Sequence, residues 1–240
     1  MSTLSNSLAR HQFKAFTDRP ALEQAMVASI CSIVDEAIAS QGRASLAFSG
    51  GSTPKAMFAQ LSQADLDWEK ITISLVDERW VNNDHDQSNE RMFRENILQN
   101  KAANATLVGM KAPHNDINAG VSDYQSKLQT KIPLPFDLVI LGMGNDGHTA
   151  SWFPDAAELP QAMDVNSEQL VVTTRPASQP TDRITLSIVP VMTARNIFLH
   201  ITGDDKKQVL EKGIDNNLCL PIHQALDMLP QAVDIYWTES

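Results

Sequence analysis

The stretch Leu138-Val139-Ile140-Leu141-Gly142-Met143-Gly144-Asn145-Asp146-Gly147-His148-Thr149-Ala150-Ser151 decides how this chain folds. Consecutive aliphatic residues read as a strand buried on both faces, the signature of a parallel sheet. The run then breaks into glycines, an aspartate and a histidine. In open α/β sheets, ligands bind beyond the carboxyl ends of the strands, where this turn falls. Gly142, Gly144 and Gly147 remove side-chain bulk, so backbone N–H groups can approach a ligand. His148 supplies a group able to move protons in catalysis. The same residues also suit a plain glycine turn followed by a capping or packing histidine, and the motif alone leaves both readings open.

Working outward, short apolar runs alternate with amphipathic ones. Residues 21–39 place Leu22, Met26, Ile30, Ile33, Val34, Ala37 and Ile38 at helical spacing. Strands are expected over 45–49, 71–76, 136–141, 170–174, 184–188, 196–201 and 232–237. Helices are expected from about Pro54, over 88–98 with Asp86 or Ser88 as cap, over 117–128 after the Pro113–Asp116 turn, over 205–212, and ending near Met228-Leu229. This alternation implies an α/β fold, a mostly parallel, Rossmann-like sheet covered on both faces. Residues 175–181, with two prolines, read as a surface loop rather than a linker, so residues 1–240 are expected to form one domain.

Composition excludes several classes. Hydrophobic residues make up 42% of 240, enough for a core, and the net charge of −10 opposes nonspecific binding to nucleic acid or an anionic membrane. An anionic small molecule remains compatible, because a few local cations decide that. Cys31 and Cys219 lack metal-ligand spacing and read as reduced, buried thiols. Met1–Pro20 carries no apolar signal-peptide core, and no apolar run approaches membrane-spanning length. A soluble, cytoplasmic protein is the expectation.

Four further segments are candidates for chemistry. In Ser49-Gly50-Gly51-Ser52-Thr53-Pro54, paired glycines and hydroxyls before a helix suit a phosphate, although Ser52 or Thr53 would equally serve as an ordinary helix cap. It lacks the lysine of a nucleotide-binding P-loop. Asp77-Glu78-Arg79 follows the apolar Leu75-Val76. Arg79 can hold a phosphate and Asp77 can accept from a substrate or from Arg79, or the three can form a surface salt-bridge cluster. Arg183 leads into Ile184-Thr185-Leu186-Ser187. In Gly203-Asp204-Asp205-Lys206-Lys207, an aspartate is expected to cap the helix and Lys206 to reach back toward an anion, or to stay solvated. His85 sits in a polar loop without recognised metal spacing, and His11, His114, His200 and His223 have no supporting constellation.

Together these segments, in this order and spanning nearly the whole chain, closely resemble the 6-phosphogluconolactonase family. The glycine–aspartate–glycine–histidine block and the serine–threonine–proline loop carry the resemblance; the arginine and lysine segments support it. Trp152 stands where leucine is expected and Asp155 where glycine is usual, which puts the rim of the pocket in question. The resemblance implies a three-layer α/β/α sandwich shared with glucosamine-6-phosphate deaminase and ribose-5-phosphate isomerase. It also implies hydrolysis of 6-phosphoglucono-δ-lactone to 6-phosphogluconate, the second step of the oxidative pentose phosphate pathway, with no cofactor and no metal.

On that footing Gly50, Gly51, Ser52, Thr53, Arg79 and Lys206 are expected to hold the phosphate, with Asp77 in the binding set and Arg183 adding charge. His148 is expected to act as general base and then general acid, Asp146 to orient a water or the loop, and Gly144 and Gly147 to offer N–H groups to the oxyanion. No Gly-x-Ser-x-Gly elbow surrounds Ser49, Ser52 or Ser151. The implied partner is a small sugar phosphate lactone, with the chain a monomer or homodimer. The deaminases resemble this chain at the same turn but continue with a glutamate-bearing run, where Thr149-Ala150-Ser151-Trp152-Phe153-Pro154 has none. Arg79 also stands where they carry tyrosine. A sugar-phosphate sensor is disfavoured by the lack of a basic arm.

Overall fold

A computed structural model describes residues 9–113, 115–215 and 219–239. The polar opening 1–8 and His114 of the anticipated turn lie outside them. The first helix, α1 (Arg19–Gln41), is capped by Asp18, whose carboxylate accepts from Ala21 N at 2.9 Å, and it ends on Gly42 at φ 75°. Leu22, Met26, Ile30, Val34 and Ala37 form its buried stripe.

The strands β1 (Gln12–Phe16), β2 (Ala44–Phe48), β3 (Ile71–Leu75), β5 (Thr106–Val108), β6 (Leu138–Leu141), β9 (Ile197–Thr202) and β10 (Asp234–Thr238) form one parallel sheet in the order β1-β10-β9-β6-β2-β3-β5. Every residue of β2 and β6 is buried, as expected of strands covered on both faces. Around the sheet lie α2 (Lys55–Leu61), α3 (Asn89–Asn96), α4 (Ile117–Lys131), α5 (Leu159–Ala162), α6 (Ile188–Met192), α7 (Asp204–Asp215) and α8 (Pro221–Met228). The architecture is the three-layer α/β/α sandwich anticipated.

Two of the expected strands leave the parallel sheet. β7 (Val171–Thr174) and β8 (Arg183–Leu186) pair antiparallel with each other, and β8 pairs antiparallel with β4 (Asp77–Arg79), the charged continuation of β3. This small second sheet stands over the end of the first. Its Asp77↔Thr185 and Arg79↔Arg183 register brings the two charged segments together. Cys31 is partly buried and Cys219 exposed, so the expectation of two buried thiols holds only in part.

Connections leave β2 toward β3 and leave β6 toward β9, in opposite directions across the sheet. Their carboxyl ends therefore flank a topological switch point, where α/β sheets open a crevice. At the opposite end, the buried Asp137 carboxylate accepts from Ser45 N and Gln41 Nε2, both at 2.8 Å, and forms an ion pair with Arg195, Nε to Oδ1 3.2 Å. Asp137→Ala leaves these donors unanswered, and the expected cost is about 2 kcal/mol. Calorimetry should show Tm lower by about 4–8 °C with kcat unchanged, since the change is remote from the crevice.

Candidate active site

The crevice is a cleft of about 270 Å³ at the ends of β2 and β6, lined from Ser49 to Pro54, by Asp77, Arg79 and Asn89, by Ile140 to Gly144, and by His148, Ala150, His200 and Lys206. It gathers all but one of the anticipated binding segments, each from a different element.

The loop after β2 is pinned by Ser49 Oγ, which accepts from Gly142 N at 3.2 Å. Gly51 sits at φ 99°, and a Cβ on Gly50 would come within 2.0 Å of the Asn89 side chain. Neither Ser52 nor Thr53 caps α2, whose first residue follows Pro54 without a side-chain bond. Among the described residues, no hydrogen bond takes up the amides of Gly50, Gly51, Ser52 and Thr53. Such open donors beside a cleft suit an anion.

Asp77 is buried and accepts from Ser151 Oγ at 2.6 Å. Arg79 reaches the cleft while Nη1 donates to Gln87 O at 2.7 Å. Between them Glu78 turns away. It is fully buried, and its two oxygens accept from Arg79 N, Asn89 N, Glu90 N and Ser88 Oγ at 2.7 to 3.1 Å. Burial pushes its pKa up to about 7, against the pull of the Asn89, Glu90 and Arg79 amides and with a further rise from Asp77. Glu78 is thus the anchor of α3, a role sequence could not assign; Ser88, accepting from Arg91 N at 3.1 Å, is the cap of that helix.

The turn after β6 is self-contained. Gly144 N donates to His148 O at 2.9 Å, Gly147 N to Gly144 O at 3.0 Å, and Thr149 Oγ1 to Gly142 O at 2.7 Å. These bonds correct the expectation that Gly144 and Gly147 face an oxyanion: both amides are spent inside the turn. Asp146 Oδ1 meets His148 Nδ1 at 2.5 Å and also accepts from His148 N at 3.2 Å. The carboxylate thus fixes the tautomer with the proton on Nδ1 and turns Nε2 out as the basic atom. Burial pushes the Asp146 pKa up, but the bond and charge of His148 outweigh it and hold the carboxyl below its ordinary value. A Cβ at Gly144 would lie 2.2 Å from the imidazole, so glycine is what makes room for the ring. Phe153 covers the other side, its ring centroid 4.1 Å away and nearly parallel. Nothing in sequence marked Phe153 apart from its neighbours.

Trp152 does not stand at the rim. It is fully buried, with Nε1 donating to Leu186 O at 2.9 Å. Asp155 is exposed and accepts from Ser178 N at 2.6 Å, fastening the 175–181 loop. Arg183 does not line the cleft. It is buried behind Arg79, donates to Gln179 Oε1 at 3.1 Å, and leaves Nη1 without a partner among the described residues. Burial and the neighbouring Arg79 lower its pKa.

Lys206 does reach the cleft from α7, and burial lowers its pKa, partly offset by Asp205. The first-turn aspartates do not cap α7 as expected: Asp205 instead accepts from Asn145 Nδ2 at 2.8 Å and latches the helix to the histidine turn. His200, given no role from sequence, also lines the cleft, and its signal was a polar residue within the otherwise apolar Ile197-Phe198-Leu199-His200-Ile201.

A family model described as glucosamine-6-phosphate isomerases/6-phosphogluconolactonase matches residues 17–237. The chain belongs to this family. It is 37% identical over 229 residues to a 6-phosphogluconolactonase of Mesorhizobium japonicum, covering 95% of this chain and 96% of that one. It is similar to the crystal structure of a 6-phosphogluconolactonase from Shewanella baltica, with TM-score 0.90, 43% identity, and 95% and 97% of the two chains covered. The Trypanosoma brucei 6-phosphogluconolactonase superposes with TM-score 0.80 at 26% identity, covering 95% and 96%.

Two outcomes check the architecture of the site. Gly144→Ala should displace the imidazole and lower kcat about 10²-fold with little change in KM. Glu78→Ala should cost about 2–4 kcal/mol by stranding its donors, read as a lower unfolding midpoint. Because the Glu78 pKa rises from 4.5 to about 7 on folding, the stability it confers declines as pH rises through 7. The alanine variant should therefore show a flatter stability–pH curve between about pH 5 and 8.

Proposed function

We propose that this chain hydrolyses 6-phosphoglucono-δ-lactone to 6-phosphogluconate, the lactone-opening step of the oxidative pentose phosphate pathway. The observation that carries this reading is the Asp146–His148 pair, facing a cleft that also holds open amides and the cations Arg79 and Lys206. The names borne by relatives matched over nearly their whole length agree with it.

The amides of Gly50–Thr53, with Arg79 and Lys206, hold the substrate phosphate, and Arg183 supports the same potential from behind Arg79. Asp77, fixed by Ser151, accepts from the bound sugar phosphate. His148 Nε2 takes a proton from water as its oxygen attacks the lactone carbonyl. A C–O bond forms, the carbonyl electrons move onto oxygen, and Asp146 stabilises the imidazolium. Collapse of the tetrahedral centre breaks the bond to the ring oxygen, which receives the proton from His148. With the Gly144 and Gly147 amides engaged, the developing oxyanion is balanced by the imidazolium and the cations of the cleft.

The scheme uses the chain's own side chains and backbone amides together with water. It is carried out by residues 1–240 as one domain in the cytoplasm, as a monomer or homodimer; no described helix is long and apolar enough to cross a membrane.

Proton release from freshly made 6-phosphoglucono-δ-lactone, corrected for spontaneous hydrolysis, tests the reading. A large acceleration is expected, falling sharply with glucono-δ-lactone lacking the phosphate. No acceleration would overturn it. His148→Ala should approach the spontaneous rate, Asp146→Asn should lower kcat about 10²–10⁴-fold by releasing the tautomer, and Arg79→Ala should act chiefly on KM.

A further inference from the structure

We infer that His200 is a specificity-determining contact of the cleft, a neutral imidazole that recognises a ring hydroxyl of the sugar lactone rather than its phosphate. The inference rests on the lactonase reading above.

His200 lies in the middle of β9, within the sheet, yet its side chain reaches the cleft. It is only 5% exposed and lines the cleft, and its ring nitrogens are not among the buried side-chain atoms cut off from solvent without a partner, so the little access it has is on the cleft side. An imidazole packed into the sheet but open to a cleft along one side is placed to meet a ligand there. Sites that discriminate by a substrate hydroxyl are built this way, with a buried partner satisfied only when the right molecule binds.

The surroundings choose the kind of partner. From α1, Arg19 Nη2 donates to Thr202 Oγ1 at 3.3 Å, two residues further along β9. Lys206 approaches from α7, and Tyr236 is the register neighbour on β10, with its hydroxyl committed to Ser29 at 2.9 Å. Burial first, then Arg19 and Lys206, push the His200 pKa down to about 4. At neutral pH the ring is therefore uncharged. A neutral imidazole offers one donor and one acceptor, the complement of a hydroxyl. A phosphate dianion only accepts, and the cleft already meets it with cations and open amides. The same low basicity removes His200 from competition with His148 for the role of base.

The test is inhibition and turnover by His200→Leu and His200→Gln, with 6-phosphogluconate, which carries the hydroxyls, compared with inorganic phosphate, which does not. His200→Leu should weaken 6-phosphogluconate inhibition and raise the lactone KM about tenfold, leaving inhibition by inorganic phosphate within twofold. His200→Gln, which keeps a donor and an acceptor, should recover most of the loss. Unchanged phosphate inhibition also shows that the cleft has kept its shape.

Equal weakening of both inhibitors would overturn the inference by placing His200 on the phosphate, and no change in either would overturn it by removing His200 from the ligand. If the leucine variant does not fold, His200→Asn, too short to reach, should show the same selective loss beside His200→Gln. Failure of the lactonase reading itself is distinct: the unmodified chain would not accelerate lactone hydrolysis at all.

Discussion

The close approach of the His148 ring to the Gly144 backbone is the constraint on which the rest of the site depends. The ring occupies the volume a side chain at 144 would need, so the turn closes on itself through Gly144 N, Gly147 N and the Thr149 hydroxyl. Closure places Asp146 against Nδ1 and leaves Nε2 as the one ring atom able to act on water. Neighbouring elements then lean on the turn. Ile222 N donates to Gly147 O at 3.0 Å, Leu220 packs where a Cβ at Gly147 would go, and Asn145 ties in the helix that carries Lys206. The Asp146–His148 pair and the helix that carries Lys206 are thereby tied to one hydrogen-bonded turn, which is how side chains on a loop acquire the precision of those on a rigid element.

A second anchor works from the other side of the cleft. Glu78 alternates with Asp77 and Arg79 along β4, so the pleat sends its carboxylate away from the ligand while its neighbours point toward it. By collecting the first amides of α3 it positions Asn89, whose Nδ2 donates to Asp77 O at 2.9 Å and whose side chain abuts Gly50. A carboxyl group buried for structure thus connects the Ser49–Pro54 loop to the β4 edge, and the three consecutive acidic and basic residues after an apolar strand sit in three different environments.

Much of this was legible in the sequence. The buried strands and their glycine endings were visible because a parallel sheet demands continuous apolar runs, and the switch point concentrates function at their ends. β1, β4 and β5 were not, because an exposed edge strand, a charged triplet and a three-residue strand carry no periodicity of their own. The departure of β7 and β8 into an antiparallel ribbon was hidden for a related reason: apolar content reports burial and says nothing of pairing direction. The failure at Gly144 and Gly147 is instructive as well. Glycine at a turn admitted two explanations, donors for a ligand or space for a ring, and only the hydrogen bonds of the folded turn separate them. Phe153 and His200 were missed because stacking and cleft-facing depend on which elements converge, which one segment cannot report.

The distribution of charge explains how a chain of net charge −10 suits an anionic substrate. Field in a cleft is set by the groups that line and back it, since low-dielectric walls focus nearby charges and salt screens distant ones beyond about 8–10 Å. Around this cleft Arg79, Lys206, Arg183 and Arg19 are set against Asp77, whose carboxylate is occupied by Ser151. Arg79 and Arg183 face each other across an antiparallel register, and burial first and then Arg79 lower the Arg183 pKa. With a net charge of −10 the chain as a whole opposes nonspecific polyanions, while the cations gathered at this cleft give an anion a local welcome.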